Sequence, residues 1–290
     1  MSAVLIFNPY ASRVTPDGLA AVARELGPVE IIRTERPGHA TELARAAAGE
    51  VEAIYVFSGD GGFNEALNGV DGVTPIGFIP GGGTNVLPRA LGLPRDPVVA
   101  ARRLRAGRTR RISLGRANGR RFGFSAGLGL DAELIRRVDA LGRRGDGKRP
   151  GDVAFALTAL RVLAERRARI EPTLELEGFG RAAFALVANC DPYSYAGPLG
   201  LRVAPEARFE LGLDLVAPRS LRPASLPRFV AYLVWGRGQT SASDVLYGHD
   251  LGEVLARCDA PMPLQVDGED LGDVNLVHFT AERAAVTILV

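Results

Sequence analysis

Two glycine clusters, one strand apart, are the residues of this chain whose types and spacing point most directly to chemistry. In Ser58-Gly59-Asp60-Gly61-Gly62 the lack of side-chain bulk lets successive backbone N–H groups converge on an anion, and Asp60 stands among them as a carboxylate for magnesium. Gly81-Gly82-Gly83-Thr84-Asn85 repeats the device, with Thr84 and Asn85 adding side-chain hydrogen bonds. Each cluster follows an apolar run that reads as a buried strand, Ala53 to Phe57 and Ile76 to Ile79, so both loops are expected at the carboxyl edge of one sheet. Backbone donors for phosphates beside a metal carboxylate are what phosphoryl transfer needs, since that reaction is mostly positioning and charge neutralisation. The bland alternative is a pair of ordinary tight turns.

An acceptor hydroxyl attacks slowly unless a carboxylate takes its proton, and the turn Val266-Asp267-Gly268-Glu269 projects Glu269 from a rigid strand end. Asp267 supports that turn or a metal. The same residues also read as a plain hairpin, with Asp270 and Asp273 suggesting exposure.

GDGGFNEALNG followed by PGGGTNVLPRALGLP resembles the catalytic domain of diacylglycerol kinases and related bacterial lipid kinases, within a superfamily that includes NAD kinases. The family pattern reads GGDGTxNEVxNG, then PxGTxNDxARxLGxP. Asn8-Pro9 with Ser12, the FSAGLGLDAE segment around Asp131, and Val266 to Glu269 fall in the family's order, so the resemblance covers most of the chain.

The resemblance implies ATP and magnesium as cofactors, with the nucleotide in a cleft between two domains. It implies nucleotide contacts from Asn8, Pro9, Ser12, Thr34, Gly59, Asp60, Gly61, Gly62, Gly82, Gly83, Thr84 and Asn85. Asn64 and Glu65 either cap and orient a helix or contact ribose. Asp60 would be both catalytic and metal-binding, Glu269 the general base, and Asp131 a contact for the lipid head group. Asp131 also suits a helix N-cap ahead of Ala132 to Leu141. The implied acceptor is a hydroxyl of diacylglycerol or another long-chain lipid, met at the inner membrane face by a peripheral protein, with room for a homodimer.

Three positions depart from the pattern. Gly62 stands where the first loop has Thr, Val86 where the second usually has Asp, and Leu211 where PxAxxxDG places an acid. The bacterial subgroup reading PGG(S/G)TNV shares the Val. Leucine cannot coordinate a hard cation, so a structural magnesium site held there is expected to be absent or rebuilt. Two other readings follow: an NAD kinase-like small-molecule kinase, and a catalytically weak lipid- or nucleotide-binding protein.

The elements that must position these residues change character along the chain. Ala3 to Phe7, Val29 to Arg33, Ala53 to Phe57 and Ile76 to Ile79 alternate with helical patterns such as Ala40 to Ala48, which predicts a parallel α/β sheet over residues 1–112. From 113 to 290 the runs are short: Arg121 to Ser125, Thr173 to Leu176, Ala182 to Ala188, Gly212 to Val216, Leu264 to Val266 and Ala285 to Val290. They read as an antiparallel sandwich whose last strand can return to the first domain. Helical patterns interrupt it at Ala132 to Leu141, Asp152 to Arg167 and Leu226 to Trp235. Phe155, Leu157, Phe229, Tyr232 and Trp235 line a lipid channel or fill an ordinary core.

The 290 residues, 47% hydrophobic and 23% charged, suit two globular domains, and no apolar run reaches the roughly 20 residues of a membrane span. MSAVLIFNPY reads as a first strand and not a signal peptide, which predicts a cytoplasmic protein. A net charge of +2 gives no ground for nucleic-acid binding. Arginines bunch at Arg102 to Arg111, Arg136 to Arg149 and Arg161 to Arg169, either as solvated helix faces or as contacts for an anionic membrane. Cys190 and Cys258 lack metal spacing and read as reduced thiols. His39, His249 and His278 are scattered. Gly142 to Lys148 mimics P-loop spacing, but Arg149 replaces the required Ser or Thr.

Overall fold

Short apolar runs alternating with amphipathic segments fold, in the first part of the chain, into a parallel sheet flanked by helices. The computed structural model describes residues 3–142, 150 and 152–290, and the P-loop-like stretch lies almost wholly outside them. Two compact units result, Met1–Leu114 with Arg283–Val290, and Gly115–Glu282.

The first unit runs β1 (Ala3–Phe7), α1 (Pro16–Leu26), β2 (Val29–Arg33), α2 (His39–Ala47), β3 (Ile54–Ser58), α3 (Asp60–Leu67), β4 (Ile76–Pro80), α4 (Val86–Ala90) and α5 (Pro97–Arg105). Its strands pair in parallel in the order β2-β1-β3-β4. On the far side of β4, Ile288 from the end of the chain pairs with Ile76, again in parallel. β3 and β4 are buried at every residue because both faces are covered by helices, whereas the edge strand β2 keeps Glu30, Ile31 and Arg33 exposed. Helix starts are written locally. Thr15 Oγ1 accepts the Gly18 N–H at 3.0 Å ahead of Pro16, and Asp96 accepts from Val98 and Val99 at 2.9 Å ahead of Pro97. Such a cap contributes about 1 kcal/mol.

β5 (Thr109–Ala117) carries the chain into the second unit, which continues through β6 (Arg120–Phe122), β7 (Ser125–Leu128), α6 (Leu130–Ala140) and α7 (Asp152–Glu165). Then come β8 (Leu174–Leu176), β9 (Gly180–Ala182), β10 (Ala185–Ala188), the separate hairpin β11 (Ser194–Ala196) and β12 (Leu199–Leu201), and β13 (Leu213–Pro218). The rest is α8 (Leu226–Trp235), β14 (Val245–Leu251), β15 (Glu253–Val266) and β16 (Glu269–Leu289). The main order β14-β13-β10-β7-β15-β16 is antiparallel. β15 pairs with β8 through Ala256–Cys258 and with β7 through Leu264–Val266, and a register shift between Arg257 and Met262 lets one strand serve two arms. Leu128, Val187 and Leu215 from one arm share a core with Leu174, Ala256 and Phe279 from the other.

Some elements differ from their sequence patterns. The expected strand Arg121 to Ser125 breaks into β6 and β7 because the N–H groups of Gly123, Phe124 and Ser125 are taken by the Asp267 carboxylate, at 2.6, 2.9 and 3.1 Å. Both cysteines are free, and burial pushes the Cys258 thiol up to about 11.

Candidate functional site

In a parallel sheet every strand delivers its following loop to the same edge. Thr34 follows β2, Asn8 to Ser12 follow β1, Ser58 to Gly62 run from the last residue of β3 into the first turn of α3, and Gly81 to Asn85 follow β4, so the predicted nucleotide residues of the first unit share that carboxyl edge. Backbone bonds tie the loops together. Gly81 N–H donates to Ser58 O at 2.7 Å, and Arg13 N–H donates to Gly81 O at 2.8 Å. The two glycine clusters touch by backbone alone, since a Cβ on Gly82 would lie 2.7 Å from Gly59 Cα. No other residue type fits there.

Side chains at this edge mostly shape the loops. Asn85, at φ 53°, exchanges two hydrogen bonds of 2.8 Å with the backbone of Gly82 and so closes the second loop. Asn8 Oδ1 accepts the Tyr10 N–H at 2.9 Å, an Asx turn that bends the β1 loop. Asp60 opens α3, and its Oδ1 accepts the Leu87 N–H at a long 3.3 Å. Glu65 faces another helix. Its carboxylate accepts the Ala40 N–H at 3.2 Å and its carbonyl the Thr41 hydroxyl at 2.8 Å, which caps α2, whose own N-cap is Gly38. Asn64 is buried and accepts from Asn68. Ser58 is 2% exposed and its Oγ has no hydrogen-bond partner. A Cβ on Gly62 would lie 2.1 Å from that oxygen.

In the second unit the predicted residues meet around the β15–β16 turn. Asp267 (φ 47°) and Gly268 (φ 80°) form a two-residue reversal with both φ values positive, which leaves Glu269 at the first position of β16. Asp267 spends its carboxylate on the three N–H groups before and at the start of β7, so it fixes the turn. Glu269 Oε2 accepts from Arg120 at 3.2 Å, and Arg136 grips Asp270 and Asp273 on the other side at 2.8 and 2.7 Å. Asp131 lies in the first turn of α6, but Gly129 is the N-cap, so the carboxylate is not a cap. It accepts instead from the Tyr193 hydroxyl and from Gln265 Nε2 at 2.7 Å. Gln265 Oε1 in turn accepts the Gly268 N–H at 2.9 Å, which links Asp131 to the Glu269 turn through one side chain. Burial pushes the Asp131 carboxyl above the usual aspartate range, with Tyr193 and Gln265 pulling it back.

Gln265, Tyr193 and Arg120 were not singled out in the sequence. A glutamine inside the apolar run Pro263 to Val266 was the available signal for the first, while Tyr193 is 62 residues from Asp131 and had none. A cavity of about 180 Å³ is lined in part by Gly129 and Leu130, next to Asp131 in the chain, with Ile170, Pro261 and Met262. The five aromatic and aliphatic residues expected to line a channel do not line this one. Phe229 and Tyr232 pack edge to face at 6.0 Å beside a core cluster, while Leu157 and Trp235 are exposed. Near Leu211, buried Asp214 uses its oxygens on His249, Tyr247 and the Asp250 N–H.

Residues 2–117 match the diacylglycerol kinase catalytic domain family. The chain is 32% identical over 283 residues to a diacylglycerol kinase of Bacillus subtilis, covering 91% of this chain and 88% of the relative. For two further curated relatives, from Streptococcus pneumoniae and Staphylococcus epidermidis, the chain spans 39% and 40% of their length. The fold is similar to the crystal structure of a diacylglycerol kinase from Bacillus anthracis, with a TM-score of 0.70, 19% identity, and 99% of this chain and 96% of that one covered. It is also similar to that of an NAD kinase from Archaeoglobus fulgidus in complex with ATP, with a TM-score of 0.54, 12% identity, and 100% and 94% covered.

Proposed function

Because the chain belongs to the family of diacylglycerol kinase catalytic domains, we propose that it transfers the γ-phosphate of ATP to a hydroxyl of diacylglycerol or a related long-chain lipid at a membrane surface. The observation that carries this reading is the pair of glycine loops joined by backbone at one sheet edge, with Asp60 at the start of α3 beside them. These residues fit ATP. Gly83 has open space where a side chain would stand, so a polyphosphate can approach the backbone of the second loop closely, and the buried Ser58 hydroxyl lacks an acceptor. They also fit magnesium. Among the described residues no cluster of three or more His, Cys, Asp or Glu stands ready for a metal, and magnesium needs only one or two carboxylates besides phosphate oxygens and waters. When bound, the metal nucleotide supplies the phosphoryl group and neutralises its charge.

On the chain's side, the loop N–H groups hold phosphate oxygens, Asp60 presents its carboxylate to the metal, and Glu269 takes the proton of the attacking hydroxyl. Arg120 holds that carboxylate in one orientation, and the Gln265 bridge keeps Asp131 in register with it to meet the head group. No helix of the described residues is long and apolar enough to cross a membrane. A peripheral contact is supported by α7, where Val153, Leu157 and Leu160 form one exposed apolar stripe with exposed Arg161 beside it.

The test is magnesium-dependent transfer of labelled γ-phosphate by the purified protein to micellar lipids and to NAD, run beside Glu269→Gln. Transfer to a lipid should fall by on the order of 10²- to 10⁴-fold in the variant, the size of general-base catalysis, with ATP affinity little changed. Labelled NAD in place of lipid would make the protein a small-molecule kinase. ATP binding with no transfer to any acceptor would make it a binding protein.

A further inference from the structure

Positions 58 and 62 face each other across the first turn of α3. A Cβ on Gly62 would meet Ser58 Oγ at 2.1 Å and Ser58 Cβ at 2.8 Å, so position 62 carries no side chain while position 58 is serine. The pattern that this loop resembles, GGDGT, has the two the other way round, with glycine first and the hydroxyl fifth. Here the hydroxyl stands at position 58. In this chain it is nine-tenths and more buried and has no partner, which a folded protein rarely tolerates without a use. The helix start beside it is also uncapped by any side chain, because its N-cap is Gly59.

We propose that Ser58 and Gly62 are an exchanged pair, in which the Ser58 hydroxyl donates to a nucleotide phosphate at the start of α3. This deepens the kinase reading and rests on it. The start of α3 has no side-chain cap, and the Ser58 hydroxyl lies at the same turn, so a phosphate oxygen received there is the acceptor that Ser58 lacks.

The experiment compares the full-length protein with Ser58→Ala, Gly62→Thr and the double exchange Ser58→Gly with Gly62→Thr. Calorimetry measures binding of magnesium ATP, ADP and adenosine, and thermal unfolding is recorded without nucleotide. Ser58→Ala should weaken ATP and ADP about tenfold, the size of one hydrogen bond to a charged acceptor, while adenosine binds as before and the melting temperature does not fall. Gly62→Thr alone should melt lower, since threonine collides with Ser58. The double exchange should recover both the melting temperature and ATP affinity.

Unchanged ATP affinity in Ser58→Ala, or a double exchange no better than Gly62→Thr, overturns the pair. The two readings fail separately. A protein that binds ATP through Ser58 yet phosphorylates nothing loses the kinase reading and keeps the pair. One that phosphorylates lipid while Ser58→Ala binds ATP normally does the reverse, and one that binds no ATP loses both.

Discussion

At the carboxyl edge of β1, β3 and β4 the two glycine loops meet by backbone, and the Asn8 and Asn85 side chains are spent on bending the loops that carry them. At the β15–β16 turn the arrangement is inverted. There the backbone is held rigid by Asp267, and the offered groups are the carboxylates of Glu269 and Asp131, aligned by Arg120, Tyr193 and Gln265. A backbone site tolerates few substitutions, because what it needs is missing Cβ atoms. A side-chain site depends on partners brought from far along the chain, so its failures should be graded.

One alanine in each region tests this contrast, and both substitutions add a single methyl group. In Gly82→Ala the new Cβ would sit 2.7 Å from Gly59 Cα, backbone against backbone, with nothing flexible to yield. ATP affinity should fall by on the order of 10- to 100-fold, as 1.4 kcal/mol is tenfold. In Gly127→Ala the Cβ would meet Asp131 Oδ2 at 2.2 Å and Gln265 Nε2 at 2.9 Å, so the side-chain bridge gives way while β7 stays. Transfer to lipid should fall roughly tenfold with ATP binding unchanged. If Gly127→Ala weakened ATP and Gly82→Ala did not, the division of labour between the regions would be wrong.

A smaller change sharpens the same point. Gln265→Met keeps length and loses both hydrogen bonds, leaving Asp131 Oδ2 and the Gly268 N–H without that partner. Denaturant unfolding should show a loss of about 1–3 kcal/mol, and lipid turnover should fall with it while ATP affinity holds. A variant that unfolds like the parent and keeps full turnover would remove Gln265 from the site.

The contrast also explains what could be read from sequence. The glycine loops were legible because their glycines are themselves the device, and β1, β2 and α8 coincide with their apolar runs because Asn, Gly or Pro bounds them. The bridge at the turn was not legible, since its members come from β15, α6 and the β10–β11 connection. The arginine bunches show the same limit. Arg102 pairs with Glu25, Arg111 donates to carbonyls at Ala284 and Gly72, Arg136 pairs with Asp270, and Arg137 with Glu165. Local spacing suggested solvated faces or a membrane contact, but each of these partners is set by the fold. The exposed Arg161, Arg167 and Arg169 keep the sequence reading.

The smallest expected effect concerns pH, and it follows from the side-chain region alone. Burial raises the Asp131 carboxyl, while the Tyr193 hydroxyl and Gln265 lower it by bonding the ionised form. A folded-state value above the unfolded one contributes stability that is fully present below the ordinary aspartate range and is lost as pH rises through the raised value. Tyr193→Phe removes one of the two opposing bonds, so Asp131 should titrate higher still, and the variant should lose more stability than the parent on passing from about pH 4 to about pH 8. Asp214 is also raised by burial, but it is common to both proteins and cancels in the difference. Carbon NMR titration of the Asp131 carboxyl, with denaturant unfolding at each pH, measures both quantities. ATP affinity should move alike in the two proteins over that range, because Tyr193 and Asp131 are not among the proposed nucleotide residues. A variant whose stability difference from the parent stays flat with pH would show that Tyr193 does not govern the ionisation of Asp131.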